Sequence, residues 1–148
     1  MCQICGTLID YLGRVYKTFD IAPFFSKLII GMGDEPSKVV AQINLAHPGL
    51  NVEFTSDTGG VTYERFYKPK GKKNERQYII LIFDTDELTP SLVAHEAVHV
   101  VNFVYQHVGQ KIDKDNDEVN AYHVGWVVDR VYEVKEEAEK QHKPIKKK

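Results

Sequence analysis

The sequence predicts an α+β domain in which a small antiparallel sheet packs on a buried helix followed by a second long helix. Three observations carry that expectation. Residues 91–107 contain neither Gly nor Pro and are apolar at most positions. A second helical pattern runs from Asp117 to Gln141, and three short strand-like runs precede both helices. Strands packed as a meander on the helix that follows them point to α+β.

Taken in order, Leu8 to Phe19 carries apolar residues at mixed spacing, compatible with helix or strand. Phe24 to Met32 is a short apolar segment read as helical. Asp34-Glu35-Pro36-Ser37 makes a helix start for Lys38 to Ala46, and Pro48-Gly49 stops it. Strands are expected over Leu50–Thr55, Val61–Tyr67 and Gln77–Phe83. Ser56-Asp57-Thr58-Gly59-Gly60 joins the first two, and Pro69-Lys70-Gly71-Lys72-Lys73-Asn74 joins the last two. Val61–Tyr67 alternates as a half-exposed strand would, whereas Tyr78-Ile79-Ile80-Leu81-Ile82-Phe83 is continuously apolar and therefore central. The expected sheet is a three-stranded antiparallel meander.

The next helix is strongly specified. Thr89 suits the N-cap and Pro90 the first helical position, and Asp86 and Glu87 lie near the positive end of the dipole. Gly109 ends it. Apolar residues from Leu92 to Val104 cover nearly the whole circumference, which predicts a central, buried helix.

Within that helix lies His95-Glu96-Ala97-Val98-His99. Residues four apart sit on one helix face, so the two imidazoles can present nitrogens to a single point and supply two corners of a tetrahedral zinc site. Glu96, one position round, is placed to act as general base toward a water at the open coordination position. The plain structural alternative is a pair of core histidines bonded to backbone carbonyls.

A third ligand is sought downstream. Asp113-Lys114-Asp115-Asn116-Asp117 is a polar loop, and Glu118 falls in the first turn of the second helix, with residues 100–117 between it and His99. A helical hairpin can return that turn to the first helix, completing a His, His, Glu set with water in the fourth place. Asp115 and Asp117 remain possible substitutes. His107 lies about 12 Å beyond His99 along the same helix and cannot reach the same ion. His123 lies on another face of the second helix from Glu118. Tyr122 is the candidate hydroxyl for stabilising an oxyanion, the plain alternative being core packing with Trp126. Gly125 offers a place for the two helices to approach closely.

His95-Glu96-x-x-His99 followed by Asp117-Glu118-Val119-Asn120-Ala121-Tyr122 resembles the gluzincin clan of zinc metallopeptidases. The interval is similar to that of the aminopeptidase N group. The acidic-x-x-Ala-aromatic ending resembles ImmA/IrrE-type peptidases, and small bacteriophage proteins assigned as peptidases carry a comparable pairing. The resemblance covers roughly residues 84–134. It implies a zincin-like fold, a Zn2+ cofactor held by His95, His99 and Glu118, and Glu96 as base in peptide-bond hydrolysis. The metzincin pattern is absent, because Asn102 and Tyr105 stand where its Gly and third His would be.

Composition bounds the remainder. A chain of 148 residues with 43% hydrophobic content supports one domain, expected over residues 1–141, with a basic tail at 142–148. The formal net charge of −2 calls for neither nucleic acid nor membrane as an obligatory partner. No basic n-region or continuous apolar run opens the chain, so a cytoplasmic address, bacterial or in a phage-infected cell, is the expectation. Cys2 and Cys5 form a lone C-x-x-C whose second pair is missing, too little for a zinc ribbon. Lys68, Lys70, Lys72, Lys73 and Arg76 crowd one hairpin tip; a solvated loop is the ordinary explanation and an anionic partner the sharper one. The function expected is zinc-dependent cleavage of a peptide or protein. The alternative is a catalytically silent scaffold that acts by binding a host or partner protein.

Overall fold

The computed structural model describes residues 15–55 and 57–142. The cysteine pair, the start of the Leu8–Phe19 segment and residues 143–148 lie outside them. The described elements are β1 (Val15–Ile21), β2 (Ser26–Gly33), α1 (Pro36–Ala46), β3 (Gly60–Tyr67), β4 (Arg76–Asp84), α2 (Pro90–Val108) and α3 (Glu118–His142). A single 3-10 turn, Thr85–Glu87, links β4 to α2.

The chain is α+β, but the sheet is mixed and has four strands in the order β1-β2-β4-β3. β1 is antiparallel to β2, β2 is parallel to β4, and β3 is antiparallel to β4. Two expectations are thereby corrected. Residues 24–32 are not helical: β2 is a central strand, flanked on both sides, so a continuous apolar run suits it. Leu50–Thr55 takes no place in the ladder; Asn44 holds it instead, donating from Nδ2 to the Val52 carbonyl and accepting from the Val52 N–H, each at 2.9 Å.

Strand alternation sorts the core into two halves. Leu28, Ile30 and Met32 of β2, with Ile79, Leu81 and Phe83 of β4, join the cluster that contains α2 and α3. Ile29, Ile80 and Ile82 join the opposite cluster with Val39, Val40 and Ile43 of α1. Each of these strand side chains is fully buried, worth about 1.5–3 kcal/mol of transfer free energy apiece. The result is three layers, with α1 on one face and the two long helices on the other. On that face α2 lies over β3 and β4, and α3 over β1 and β2.

α2 begins and ends where its sequence signals stand. The Thr89 hydroxyl accepts from the Leu92 N–H at 3.2 Å, Pro90 occupies the first turn, and Gly109 closes the helix at φ 72°, a left-handed conformation that favours glycine. Its burial differs from expectation. Val93, Glu96, Ala97, Val100, Val101, Val104 and Tyr105 are buried, but Ala94, His95, Val98, His99 and Asn102 are exposed, Val98 to 44%. The helix therefore covers the sheet with one face and leaves the other open.

α3 runs antiparallel to α2. Its end, at Lys135, Ala138 and Glu139, shares a surface pocket with Thr85, Asp86 and Leu88 just ahead of α2. Nearer its start, His123 Nδ1 lies 2.8 Å from the Tyr105 hydroxyl, close to the end of α2. Trp126 packs edge-on against Phe19, and the Arg130 guanidinium lies over both rings. Among the described residues no helix is long and apolar enough to cross a membrane.

Candidate metal centre

The motif residues divide between the two faces of α2. His95 and His99 stand on the open face with their Nε2 atoms 3.1 Å apart. Both are exposed, the His95 side chain to 66%, so the expectation of buried imidazoles does not hold. Two nitrogens at about 2.0–2.1 Å from one tetrahedral ion would stand about 3.3 Å apart. The observed separation suits a shared ion, and it equally suits one proton shared between two neutral rings.

Glu96 lies on the packed side of the same turn, only 6% exposed. A buried carboxylate needs compensation, and it receives it from Thr62 of β3, whose hydroxyl donates to Oε2. The other oxygen, Oε1, lies 4.0 Å from His95 Nε2. One oxygen is thus anchored to the sheet while the other lies near His95.

Thr62 did not stand out in the sequence. Its signal was the alternation of β3, which directs Thr62, Glu64 and Phe66 toward α2 and Val61, Tyr63 and Tyr67 toward the α1 side. Contacts along that face follow in register. Thr62 meets Glu96, and Gln77 joins the middle by donating from Nε2 to Glu64 Oε2 at 2.7 Å and to the Phe103 carbonyl at 3.0 Å. Gln77 is itself buried and accepts from the Ser26 hydroxyl at 2.6 Å. Phe66 then packs on His107, ring centroids 5.1 Å apart. β3 and α2 therefore run side by side in the same direction. β3 is an edge strand of the described sheet, so its outer backbone groups have no strand partner within that sheet.

Glu118 does not join the pair. From the level of the Tyr105–His123 contact, Glu118 lies five residues back along α3 and His99 six residues back along α2. In antiparallel helices those steps diverge, which separates the two residues by roughly 16 Å along the axes at about 1.5 Å per residue. Among the described residues, no group of three His, Cys, Asp or Glu side chains is placed to hold a metal ion.

Tyr122 is also remote from the pair: it is 75% exposed and lines a groove of 630 Å³ with Glu118, Trp126 and Asp129. Gly125 mediates no close helix contact, for a Cβ there would meet nothing within 4 Å.

Comparison of the chain with protein-family models, with curated proteins and with solved structures finds no match in any of the three.

Proposed function

We propose that the protein is a zinc-dependent metallopeptidase with a zincin-like core, with His95 and His99 as metal ligands and Glu96 as general base. The observation that carries this is the convergence of the two Nε2 atoms at 3.1 Å on an open helix face, with Glu96 Oε1 4.0 Å from His95 Nε2. When bound, zinc would lower the pKa of a coordinated water and polarise a scissile carbonyl.

The chain's own residues supply the rest. Thr62 fixes Glu96 Oε2, which leaves Oε1 to accept a proton and return it to a departing amine. The outer edge of β3 offers N–H and C=O groups to an extended polypeptide, which can lie along the site as an added strand. Glu118 stands apart from the pair and is not assigned as a ligand in this reading.

The position of Glu118 favours a second reading, a scaffold that binds a partner without catalysis. Substituting Glu96→Gln separates the two. The zinc-supplemented full chain should hydrolyse casein, and the variant should lose about 10²–10⁴-fold in rate, because the base is removed and the shape kept. Equal cleavage by the variant would take Glu96 out of the mechanism. No cleavage by the wild-type chain would favour the scaffold.

A further inference from the structure

At the far end of β3 from Thr62 lies a groove of 730 Å³ whose walls include Phe25, Lys27, Phe66, Lys72, Lys73 and Arg76. Lys27 is paired with Asp20. Among the described residues no carboxylate forms an ion pair with Lys72 or Lys73, and Glu75 is the one acidic residue in the groove wall. Two aromatic rings stand beside these cations with large exposure, Phe25 at 86% and Phe66 at 49%. Exposed phenylalanines gain nothing from water, and a ligand that covers them recovers hydrophobic free energy. Cations and aromatic rings together select an occupant that is both acidic and apolar.

The position of the groove ties it to the histidine pair. Thr62 and Phe66 project from the same face of β3, four residues apart, or about 13 Å at roughly 3.3 Å per residue. An extended polypeptide paired with the β3 edge and crossing Glu96 would enter the groove about four residues further on. Single-stranded nucleic acid also favours basic and aromatic surfaces. Continuity with the strand edge favours a polypeptide, because main-chain pairing along β3 is open to a peptide and not to a phosphate backbone.

We propose that this groove recognises an acidic, aromatic-bearing stretch of the polypeptide on which the His95–His99 site acts, about four residues from the bond that is cut. The assignment of the cut bond rests on the metallopeptidase reading. Recognition by the groove does not, and it can be measured without metal or catalysis.

The test uses the full chain carrying Glu96→Gln in the presence of a chelator. Binding of a short fluorescein-labelled Glu/Phe peptide is followed by anisotropy, beside its Lys/Phe counterpart and a labelled oligothymidylate. The Glu/Phe peptide should bind at least about tenfold more tightly than the Lys/Phe peptide, a difference of about 1.4 kcal/mol. Lys72→Glu with Lys73→Glu, both in the exposed connection between β3 and β4, should abolish that preference. Equal binding of the two peptides, no detectable binding, or a preference that survives charge reversal would overturn the proposal. Tighter binding of the oligothymidylate would overturn it in favour of nucleic acid. Selective Glu/Phe binding by a chain whose wild type cleaves nothing would instead count against the peptidase and leave the groove as a docking site.

Discussion

The Thr62 hydroxyl on edge strand β3 donates a hydrogen bond to the Glu96 carboxylate on α2, joining residues 34 apart in sequence. This contact couples the sheet edge to the proposed base. It also compensates a carboxylate that is otherwise almost completely withdrawn from water.

Thr62→Val removes the donor and keeps the side-chain outline. The variant should lose about 1–3 kcal/mol in urea unfolding, because the buried oxygen is left without its partner. Thr62→Ser should retain most of that stability. A valine variant as stable as wild type would mean that the hydroxyl does not support Glu96.

The sheet and α1 are pressed together at Gly31. A Cβ at that position would stand 2.7 Å from Val39 Cγ1 and 3.2 Å from Ile43 Cδ1, both fully buried on α1. Gly31→Ala should therefore destabilise by about 1–3 kcal/mol through overpacking, read as a fall in the urea midpoint with unchanged slope. An unchanged midpoint would show that α1 yields freely.

Gly31 also illustrates what the sequence kept hidden. Glycine beside Ile29 and Ile30 in a short apolar run is compatible with helix or strand, since periodicity cannot separate them in a segment of that length. Only the pairing with β4 decides it, and that pairing is long-range. Where the signals were local, the expectation held. Thr89, Pro90 and Gly109 bound α2 as read, α3 begins at Glu118 against an expected Asp117, and β3 and β4 each start within one residue of expectation. The i, i+4 spacing likewise put His95 and His99 together, because helix geometry alone brings them to one face. Residues on different elements were not legible in the same way. Thr62 depends on the register of β3 against α2, and the level of Glu118 depends on how α3 slides along α2 through core packing.

Acid should weaken the fold through His47. Its ring packs edge-on against Tyr67 and tilted against Tyr78, and burial holds its pKa below the ordinary histidine value of 6.5. The folded state thus favours the neutral ring, and as pH falls the unfolded chain takes up its proton first. The stability associated with His47 is complete above about pH 6.5 and is lost as pH falls below that toward the lower folded-state pKa. Wild-type Tm should decline more steeply than that of His47→Gln as pH is lowered below about 6.5. Parallel declines would remove His47 as the cause.

The most direct measurement is metal content. The full chain is supplied with zinc, freed of loose metal by gel filtration and analysed by mass spectrometry. We expect about one zinc per chain. His95→Ala with His99→Ala should hold almost none while remaining folded, because both side chains stand on the open face of α2. Glu118→Ala should retain as much zinc as wild type, because Glu118 stands apart from the histidine pair; a marked loss would show that Glu118 reaches the ion after all. A wild-type chain that retains no zinc, or a double histidine variant that retains as much as wild type, would contradict the metal centre itself.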